Sequence, residues 1–318
     1  MSPRPYKPDV EPEYDLVTLI EEFGSEDKCH EYLEDLRWPD GVECPRCESK
    51  KISRIVKRRQ FDCDSCRYQF SVRVGTLFHD SKLPLWKWFL AVYLMIESKK
   101  GISANQLKRT LGVSYKTAWY LCHRIRAAMH DESGLPLSGT VEIDETYIGG
   151  KALGYGKGYR GNKTMVFGAV ERGGRVHLRA MPQPRATQKM TSEFVGEIVA
   201  DDAEFIYTDE SNAYPDLTDW NTKHRRVNHS AKEWVNGHIH TNTVESVWSL
   251  FDRSVIGAYH KLSVKHLPAY LDEAAFRWNN RENPYMLRDT ILKLVEGDTL
   301  PYRELVAPNE AQGKRKPA

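Results

Sequence analysis

Three acidic residues lie in segments of the sequence that could bring their carboxylates to one site. Asp144 lies within the apolar stretch VEIDETYI, Asp209 closes FIYTDE, and Glu245 precedes the apolar stripe of NTVESVWSLF. The first two segments are predicted as strands and the third as a helix. Converging carboxylates offer hard oxygen ligands to a pair of Mg²⁺ or Mn²⁺ ions, which keep positions open for water and phosphate. The pattern therefore indicates metal-dependent chemistry on a phosphate ester.

Two of these positions have acidic neighbours that could replace them. Glu142 and Glu145 flank Asp144, and Glu142 would share its face because side chains on a strand alternate with a period of two. Glu210 directly follows Asp209. We favour Asp144 and Asp209 as the ligands.

Four of the six cysteines form the pairs Cys44-x2-Cys47 and Cys63-x2-Cys66, with fifteen residues between the pairs. This spacing is typical of a four-thiolate zinc site, in which each pair lies on a turn and directs two sulfurs at one tetrahedral ion. Four protein ligands leave no position for water. The zinc ion is therefore expected to be structural.

The charge of the chain changes sharply along its length. Residues 1–40 hold 4 basic and 12 acidic side chains, whereas residues 41–130 hold 18 basic and 6 acidic ones. The segment between the cysteine pairs contains Lys57, Arg58 and Arg59. Such a density of cations predicts a polyanionic partner, because each cation that contacts a phosphate releases counterions.

Residues 103–129, SANQLKRTLGVSYKTAWYLCHRIRAAM, have the pattern of a helix-turn-helix with Ser114 as the N-cap of the second helix. The first turn of such a helix meets base edges and phosphates, which assigns Tyr115 and Lys116 to DNA. Further along this helix, four more side chains are expected to face outward: Trp119, His123, Arg124 and Arg126. Of these four, we assign Arg124 to DNA as well.

Length and composition set the class of protein. The chain has 318 residues, of which 40% are hydrophobic and 28% charged, as in a globular protein of two or three domains. The longest apolar stretch, around Trp86–Ile96, is too short to span a membrane, and the N-terminus lacks the apolar core of a signal peptide. We expect a cytoplasmic protein with no membrane partner.

From residue 140 onward the predicted order is strand, strand, strand, helix, strand, strand, helix, with the acids on the first strand, the fourth strand and the last helix. This order predicts an RNase H-like α/β domain with a mixed sheet, and the whole chain is expected to be an α+β multidomain protein. The expected domains are a helical acidic leader over 1–40, a zinc ribbon over 41–80, a helix-turn-helix region over 81–132, the RNase H-like catalytic domain over 138–290 and a C-terminal tail over 291–318.

The sequence resembles the DDE transposases of bacterial insertion sequences, in the ISXO-like family that carries an N-terminal zinc ribbon. The resemblance rests on seven stretches spread over roughly Leu36–Arg281: CPRCESK, GTLFHDSKLPLWKW, VEIDETYIGGK, YTDESNAY, VNHS, HTNTVESVWSLF and AAFRWNNREN. It implies that Asp144, Asp209 and Glu245 form the catalytic triad and hold two Mg²⁺ or Mn²⁺ ions. It also implies binding to the terminal inverted repeats of an element, DNA strand cleavage and transfer, and a homo-oligomer associated with the nucleoid.

Three further residues are candidates for the site. Some relatives use an asparagine as the third ligand, and Asn242 lies one helical turn before Glu245, so the choice between the two stays open. Members of the family often have a basic residue about two turns after the acidic helix residue, and Arg253 is the nearest candidate here. His229 in VNHS is a possible contact to phosphate or to an ordered water.

Two other functions share part of this pattern. A zinc-ribbon DNA-binding regulator would need residues 41–130 but no acidic triad. An RNase H-like nuclease or junction resolvase would need the triad but would not transfer strands.

Overall fold

The computed structural model describes residues 14–131, 133–149, 163–181, 185–209, 214, 223–227 and 238–308. It has two compact units. The first comprises the described residues within Met1–Ser98, Ala104–Met129 and Glu282–Ala318, and the second those within Lys99–Ser103 and His130–Arg281. His229 and Glu210 lie outside the described residues. Within the described ranges, no helix combines the length and apolar character needed to cross a membrane.

Two short helices begin the first unit, as the sequence predicts for the acidic leader. They are α1 (Leu16–Phe23) and α2 (Glu26–Arg37). The carboxylate of Asp15 accepts hydrogen bonds from the first backbone N–H groups of α1, and the Ser25 hydroxyl accepts one from Lys28 at the start of α2. Both side chains satisfy N–H groups that have no partner within the helix.

A small antiparallel sheet follows, with its strands in the order β1 (Ile52–Ile55), β2 (Gln60–Cys63) and β3 (Gln69–Phe70). Trp38, Phe61 and Phe70 pack together beside the cysteines. A sheet of this size buries little apolar surface, and a metal ion bound by the four cysteines would add to its stability. This arrangement confirms the predicted zinc ribbon.

Three helices come next: α3 (Leu85–Glu97), α4 (Ala104–Leu111) and α5 (Tyr115–Ala128). Gly112 makes the turn between α4 and α5 with a φ of +62°, a left-handed conformation that favours glycine. The Ser114 hydroxyl accepts a hydrogen bond of 3.1 Å from the Thr117 N–H and caps α5, as predicted.

The second unit is built on a five-stranded mixed sheet. Its strands are β4 (Thr140–Ile148), β5 (Thr164–Glu171), β6 (Val176–Ala180), β7 (Phe205–Asp209) and β8 (Lys223–Val227). Their order across the sheet is β6-β5-β4-β7-β8. The first three form an antiparallel meander, and β7 and β8 run parallel to β4. This order is that of an RNase H-like sheet, which confirms the predicted fold class.

Helices cover both faces of this sheet. On one face lies α6 (Gln188–Ile198), and on the other lie α7 (Asn242–Ser254) and α8 (Leu267–Asn279). Ile143 joins the core on the α6 side. Side chains alternate along a strand, so Glu142 and Asp144 point to the face that carries α7.

Two helices at the C-terminal end belong to the first unit: α9 (Met286–Glu296) and α10 (Tyr302–Val306). Helix α9 packs on α2, α3 and α5, and its Leu294 carbonyl accepts a hydrogen bond of 3.0 Å from the Leu77 N–H. The predicted boundary between the catalytic domain and the C-terminal tail, between residues 290 and 291, falls inside α9 and is therefore wrong. The apolar face of α9 is buried in the helical core of the first unit, so this segment is not a separate tail. The other domain boundaries remain predictions.

Candidate functional site

Asp144 and Asp209 are neighbours at the centre of the mixed sheet. The parallel pairing of β4 with β7 joins Glu142 to Tyr207, and each aspartate lies two residues further along its strand. Burial, followed by the charges of Glu145 and Asp209, raises the pKa of Asp144 to about 7. Closely placed carboxylates repel one another, and a bound cation relieves that repulsion. The donor set therefore fits a divalent metal ion.

Trp248 holds Asp144 from the α7 side. Its indole Nε1 donates a hydrogen bond of 3.0 Å to Oδ2 of Asp144. The indole lies over Gly168, which pairs with Asp144 on the neighbouring strand β5. A Cβ atom at Gly168 would come within 2.4 Å of the Trp248 ring, so the glycine leaves the space that the ring occupies.

Glu142 has a different role from its neighbour on the same face. Its side chain is completely buried and accepts hydrogen bonds from the backbone N–H groups of Thr243 and Val244, at 2.7 and 3.1 Å. The Arg172 Nε donates to the same carboxylate over 2.6 Å. These contacts cap the start of α7 and attach it to β4. Glu142 therefore positions the helix that carries Glu245.

Glu145 is also engaged by a neighbouring residue. Its Oε2 accepts a hydrogen bond of 2.8 Å from the hydroxyl of Tyr214, which is buried in the core on the α6 side of the sheet. Glu142 and Glu145 are both tied to other residues of the fold, which favours Asp144 over them as a metal ligand.

Glu245 lies on the exposed first turn of α7, and its Oε1 accepts a hydrogen bond of 3.3 Å from the Thr241 hydroxyl. It precedes Trp248 by one helical turn, so both side chains lie on the same side of the helix. Among the described residues, only the four cysteines bring three or more potential ligand atoms within 4.8 Å of one another. At least one pair among the carboxylates of Asp144, Asp209 and Glu245 is therefore farther apart than 4.8 Å.

Asn242 and Arg253 lie at opposite ends of α7, and both are exposed. The Asn242 carbonyl accepts a hydrogen bond of 2.8 Å from Ser246. The Arg253 guanidinium donates to the carbonyl and to the hydroxyl of Ser249, at 2.9 and 2.7 Å. Neither side chain contacts Asp144 or Asp209, and their predicted roles stay predictions.

The four sulfurs of Cys44, Cys47, Cys63 and Cys66 form one cluster. The distance from Cys44 to Cys66 is 3.7 Å and that from Cys47 to Cys63 is 3.5 Å. Tetrahedral zinc with bonds of about 2.3 Å requires sulfurs about 3.8 Å apart, so the cluster fits the ion. Burial opposes the thiolate of Cys63, but the backbone N–H groups of Cys66 and Ser65 and the neighbouring thiols lower its pKa to about 6.

The residues assigned to DNA contacts differ in their exposure to solvent. Lys57, Arg58 and Arg59 are exposed on the ribbon, although Arg59 forms an ion pair of 2.6 Å with Asp27. At the start of α5, Tyr115 and Lys116 are exposed as well.

Arg124 is buried, and the expectation that it faces outward was wrong. His123 and Arg126 are also buried. The Arg124 guanidinium donates a hydrogen bond of 2.6 Å to the Tyr120 hydroxyl, which in turn donates to the Leu300 carbonyl. The reason is that α9 packs on α5, so a face that looks exposed in the sequence of α5 alone is covered by the C-terminal segment.

Sequence reasoning missed the contacts that Trp248 and Glu142 make at the candidate site. The sequence favours core packing for Trp248, and the structure adds its hydrogen bond to Asp144. One signal was present: glycine at position 168, in the middle of an otherwise apolar strand, indicates the close approach of another group. No local pattern indicates that Glu142 caps a helix one hundred residues further along the chain.

Two families match this chain. The ISXO2-like transposase domain matches residues 136–279, and the transposase zinc-ribbon domain matches residues 24–69. An uncharacterized protein in transposable element ISH50 of Halobacterium salinarum is 33% identical over 272 residues. This match covers 79% of the present chain and 90% of the relative.

Two solved structures show weaker likeness. The HTLV-2 integrase catalytic core domain in complex with magnesium has 16% identity and a TM-score of 0.28, over 45% of this chain and 85% of that one. The Mos1 strand transfer complex has 14% identity and a TM-score of 0.29, over 65% of this chain and 75% of that one. These scores are too low to establish a common fold, which rests here on the strand order. By its domain matches and its relative, the chain belongs to the ISXO2-like transposase family.

Proposed function

We propose that the protein binds the terminal inverted repeats of an insertion sequence and catalyses metal-dependent DNA strand cleavage and strand transfer. Asp144, Asp209 and Glu245 are the proposed ligands of two Mg²⁺ or Mn²⁺ ions. The proximity of Asp144 and Asp209, on the adjacent strands β4 and β7 of the RNase H-like sheet, is the observation that carries this proposal. Membership of a transposase family supports it.

The chemistry is two in-line displacements at phosphorus. Water attacks the phosphate at the element end and loses a proton, and the bond to the 3′-oxygen breaks to leave a 3′-hydroxyl. That hydroxyl then loses its proton and attacks a target phosphate, displacing the 3′-oxygen of the target strand. When bound, the two ions supply charge neutralisation and lower the pKa of the attacking hydroxyl group.

The chain's own residues prepare this site. Asp144 and Asp209 supply fixed negative charge, and the Trp248 N–H orients the Asp144 carboxylate. Glu142 fixes the start of the helix that carries Glu245. Asn242, His229 and Arg253 are proposed as further contacts, to a metal ion or to phosphate.

DNA recognition is assigned to the ribbon and to the start of α5, through Lys57, Arg58, Arg59, Tyr115 and Lys116. Contacts from such cations to phosphate fix the register, while a few side chains distinguish bases. Joining two DNA ends requires at least two protomers, so we propose a homo-oligomer that acts on nucleoid DNA in the cytoplasm. Its proposed cofactors are one structural Zn²⁺ and the two catalytic ions.

The test uses the DNA that flanks the gene, searched for short inverted repeats and labelled as duplex ends. With Mg²⁺, the protein is expected to nick these ends and to join a pre-cut end to plasmid DNA. Asp144→Asn should abolish both reactions and bind the ends with nearly unchanged affinity. Nicking without joining would favour a nuclease or resolvase, and binding without either reaction would favour a regulator. Full cleavage by Asp144→Asn would exclude the proposed triad.

Zinc is tested separately. Elemental analysis should find one zinc ion per chain, and Cys63→Ser should lose it together with most of the DNA affinity. Retention of zinc by the variant would contradict the four-thiolate assignment.

A further inference from the structure

A cavity of about 540 Å³ lies in the first unit beside the start of α5. This volume is in the range of small-molecule and cofactor sites. The lining of the cavity changes with depth. Lys82, Ser114, Lys116 and Thr117 are exposed at its rim, whereas Trp88, Leu121 and Arg124 are buried at its floor.

The floor contains a hydrogen-bond donor without a protein acceptor. Arg124 is 4% exposed, and one terminal nitrogen donates to the Tyr120 hydroxyl over 2.6 Å. Its Nε–H has no acceptor among the described residues. Arg124 is therefore a buried cation of the lining whose donors the protein does not fully satisfy, and a ligand in the cavity would bring its guanidinium an acceptor.

Aromatic rings form the walls of the cavity. Tyr120 and Tyr302 line its sides, with Trp88 at the floor, and the guanidinium of Arg124 lies 4.3 Å from the centroid of the Tyr120 ring. The Lys116 ammonium lies 4.3 Å from the centroid of Tyr302. Aromatic side chains and arginine planes both stack with nucleobases, and arginine donates readily to acceptors on the edge of a purine such as guanine.

The rim is suited to an anion. Helix α5 is 14 residues long, and its first N–H groups point toward its N-terminal end, where Ser114 accepts a hydrogen bond only from Thr117. Lys82 forms no ion pair with the described part of the chain and lies at the same rim. Asp80 is the single carboxylate of the lining, against three cations. It can accept a hydrogen bond from a sugar hydroxyl or from a base amino group.

We propose that this cavity binds a nucleoside phosphate. The base enters between the aromatic walls and offers its acceptors to Arg124, and the phosphate stays at the rim with Lys82, Lys116 and the start of α5. Such a ligand is either a free mononucleotide or a nucleotide that has left the base stack of bound DNA. The site uses none of the three proposed catalytic carboxylates, but it shares Lys116 with the proposed DNA-binding residues, so the DNA form of the ligand rests on the proposed function and the free-nucleotide form does not.

The first experiment measures binding of the four deoxynucleoside monophosphates to the zinc-loaded full chain by calorimetry, with deoxyguanosine and inorganic phosphate as comparisons. We expect saturable binding of one nucleotide per chain, at least tenfold tighter for dGMP than for deoxyguanosine or phosphate. Tyr302→Leu removes one wall and should weaken dGMP binding by at least tenfold. Tyr93→Leu, on α3 but outside the lining, is the matched control and should leave it unchanged.

The second experiment distinguishes the two sources of the ligand. Affinity is compared between a perfect duplex and the same duplex with one unpaired guanine nucleotide. The cavity is assigned to DNA by three results together. The protein prefers the duplex with the unpaired nucleotide by at least tenfold, Tyr302→Leu abolishes this preference, and free dGMP does not bind. Equal affinity for phosphate and dGMP would overturn the proposal. Absence of both free-nucleotide binding and the duplex preference would also overturn it. Neither readout depends on DNA cleavage.

Discussion

Glu142 and Asp144 lie two residues apart on one face of β4, but their carboxylates have opposite surroundings. Glu142 is completely buried and accepts hydrogen bonds from Arg172 and from two backbone N–H groups of α7. Asp144 accepts one side-chain hydrogen bond, from Trp248, and its pKa is raised by burial and then by its acidic neighbours. The Glu142 carboxylate therefore stabilises the fold, whereas the Asp144 carboxylate has oxygen available for a cation.

The first prediction concerns the stability that Glu142 provides. Glu142→Gln leaves the Arg172 guanidinium without its charged partner at a buried site. The free energy of unfolding should fall by about 3 kcal/mol, since breaking a buried pair costs far more than breaking an exposed one. Urea denaturation measures the change. Glu197→Gln is the matched control: it breaks the exposed pair with Arg179 and should cost less than about 1 kcal/mol. Equal losses from the two variants would contradict the proposed role of Glu142.

A second prediction concerns the hydrogen bond from Trp248 to Asp144. Trp248→Phe keeps most of the packing but removes the indole N–H. Strand cleavage should fall about 10- to 100-fold, as is typical when a group that orients a metal ligand is lost. Trp278→Phe makes the same change where the indole donates to the Gly174 carbonyl, and it should retain activity. The orientation argument fails if both variants cleave DNA equally well at equal melting temperature.

The sequence predicts the strands and the helix that bear the three acidic residues better than it predicts the contacts that hold those residues in place. Period-two alternation along the strands and the helical stripe of α7 are local signals, and they predict the strands and the helix that carry Asp144, Asp209 and Glu245. Contacts such as those of Glu142 with Thr243 and Val244 join segments far apart in the chain, so no local pattern contains them. The burial of Arg124 was missed for the same reason, because its cover comes from the C-terminal segment.

A third prediction concerns the space at Gly168. Gly168→Ala places a Cβ atom 2.4 Å from the Trp248 ring and forces the indole to move. The free energy of unfolding should fall by roughly 1–3 kcal/mol, with a large loss of cleavage. Adding Trp248→Leu should restore part of the stability but none of the activity, because the N–H is still missing. Gly257→Ala is the control, since a Cβ there meets nothing within 4 Å. Full activity of Gly168→Ala would show that the ring position does not matter.

The last prediction follows from the pKa of Asp144. The folded protein holds this proton up to about pH 7, whereas the ordinary pKa is 3.8. In the metal-free protein, the contribution of Asp144 to the free energy of unfolding should therefore decrease as the pH rises from about 4 to 7 and then level off. Comparison with Asp144→Asn, which does not titrate, isolates this contribution.

Protons and metal ions then compete for the same carboxylate. With a pKa near 7, the ionised fraction differs about tenfold between pH 6 and pH 8, so the apparent affinity for Mn²⁺ should weaken about tenfold at the lower pH. The rise in melting temperature on titration with Mn²⁺ measures this affinity at each pH. Calorimetry in two buffers of different ionisation enthalpy should detect release of close to one proton at pH 6. An affinity that stays constant between the two pH values would mean that Asp144 is not a ligand of the ion.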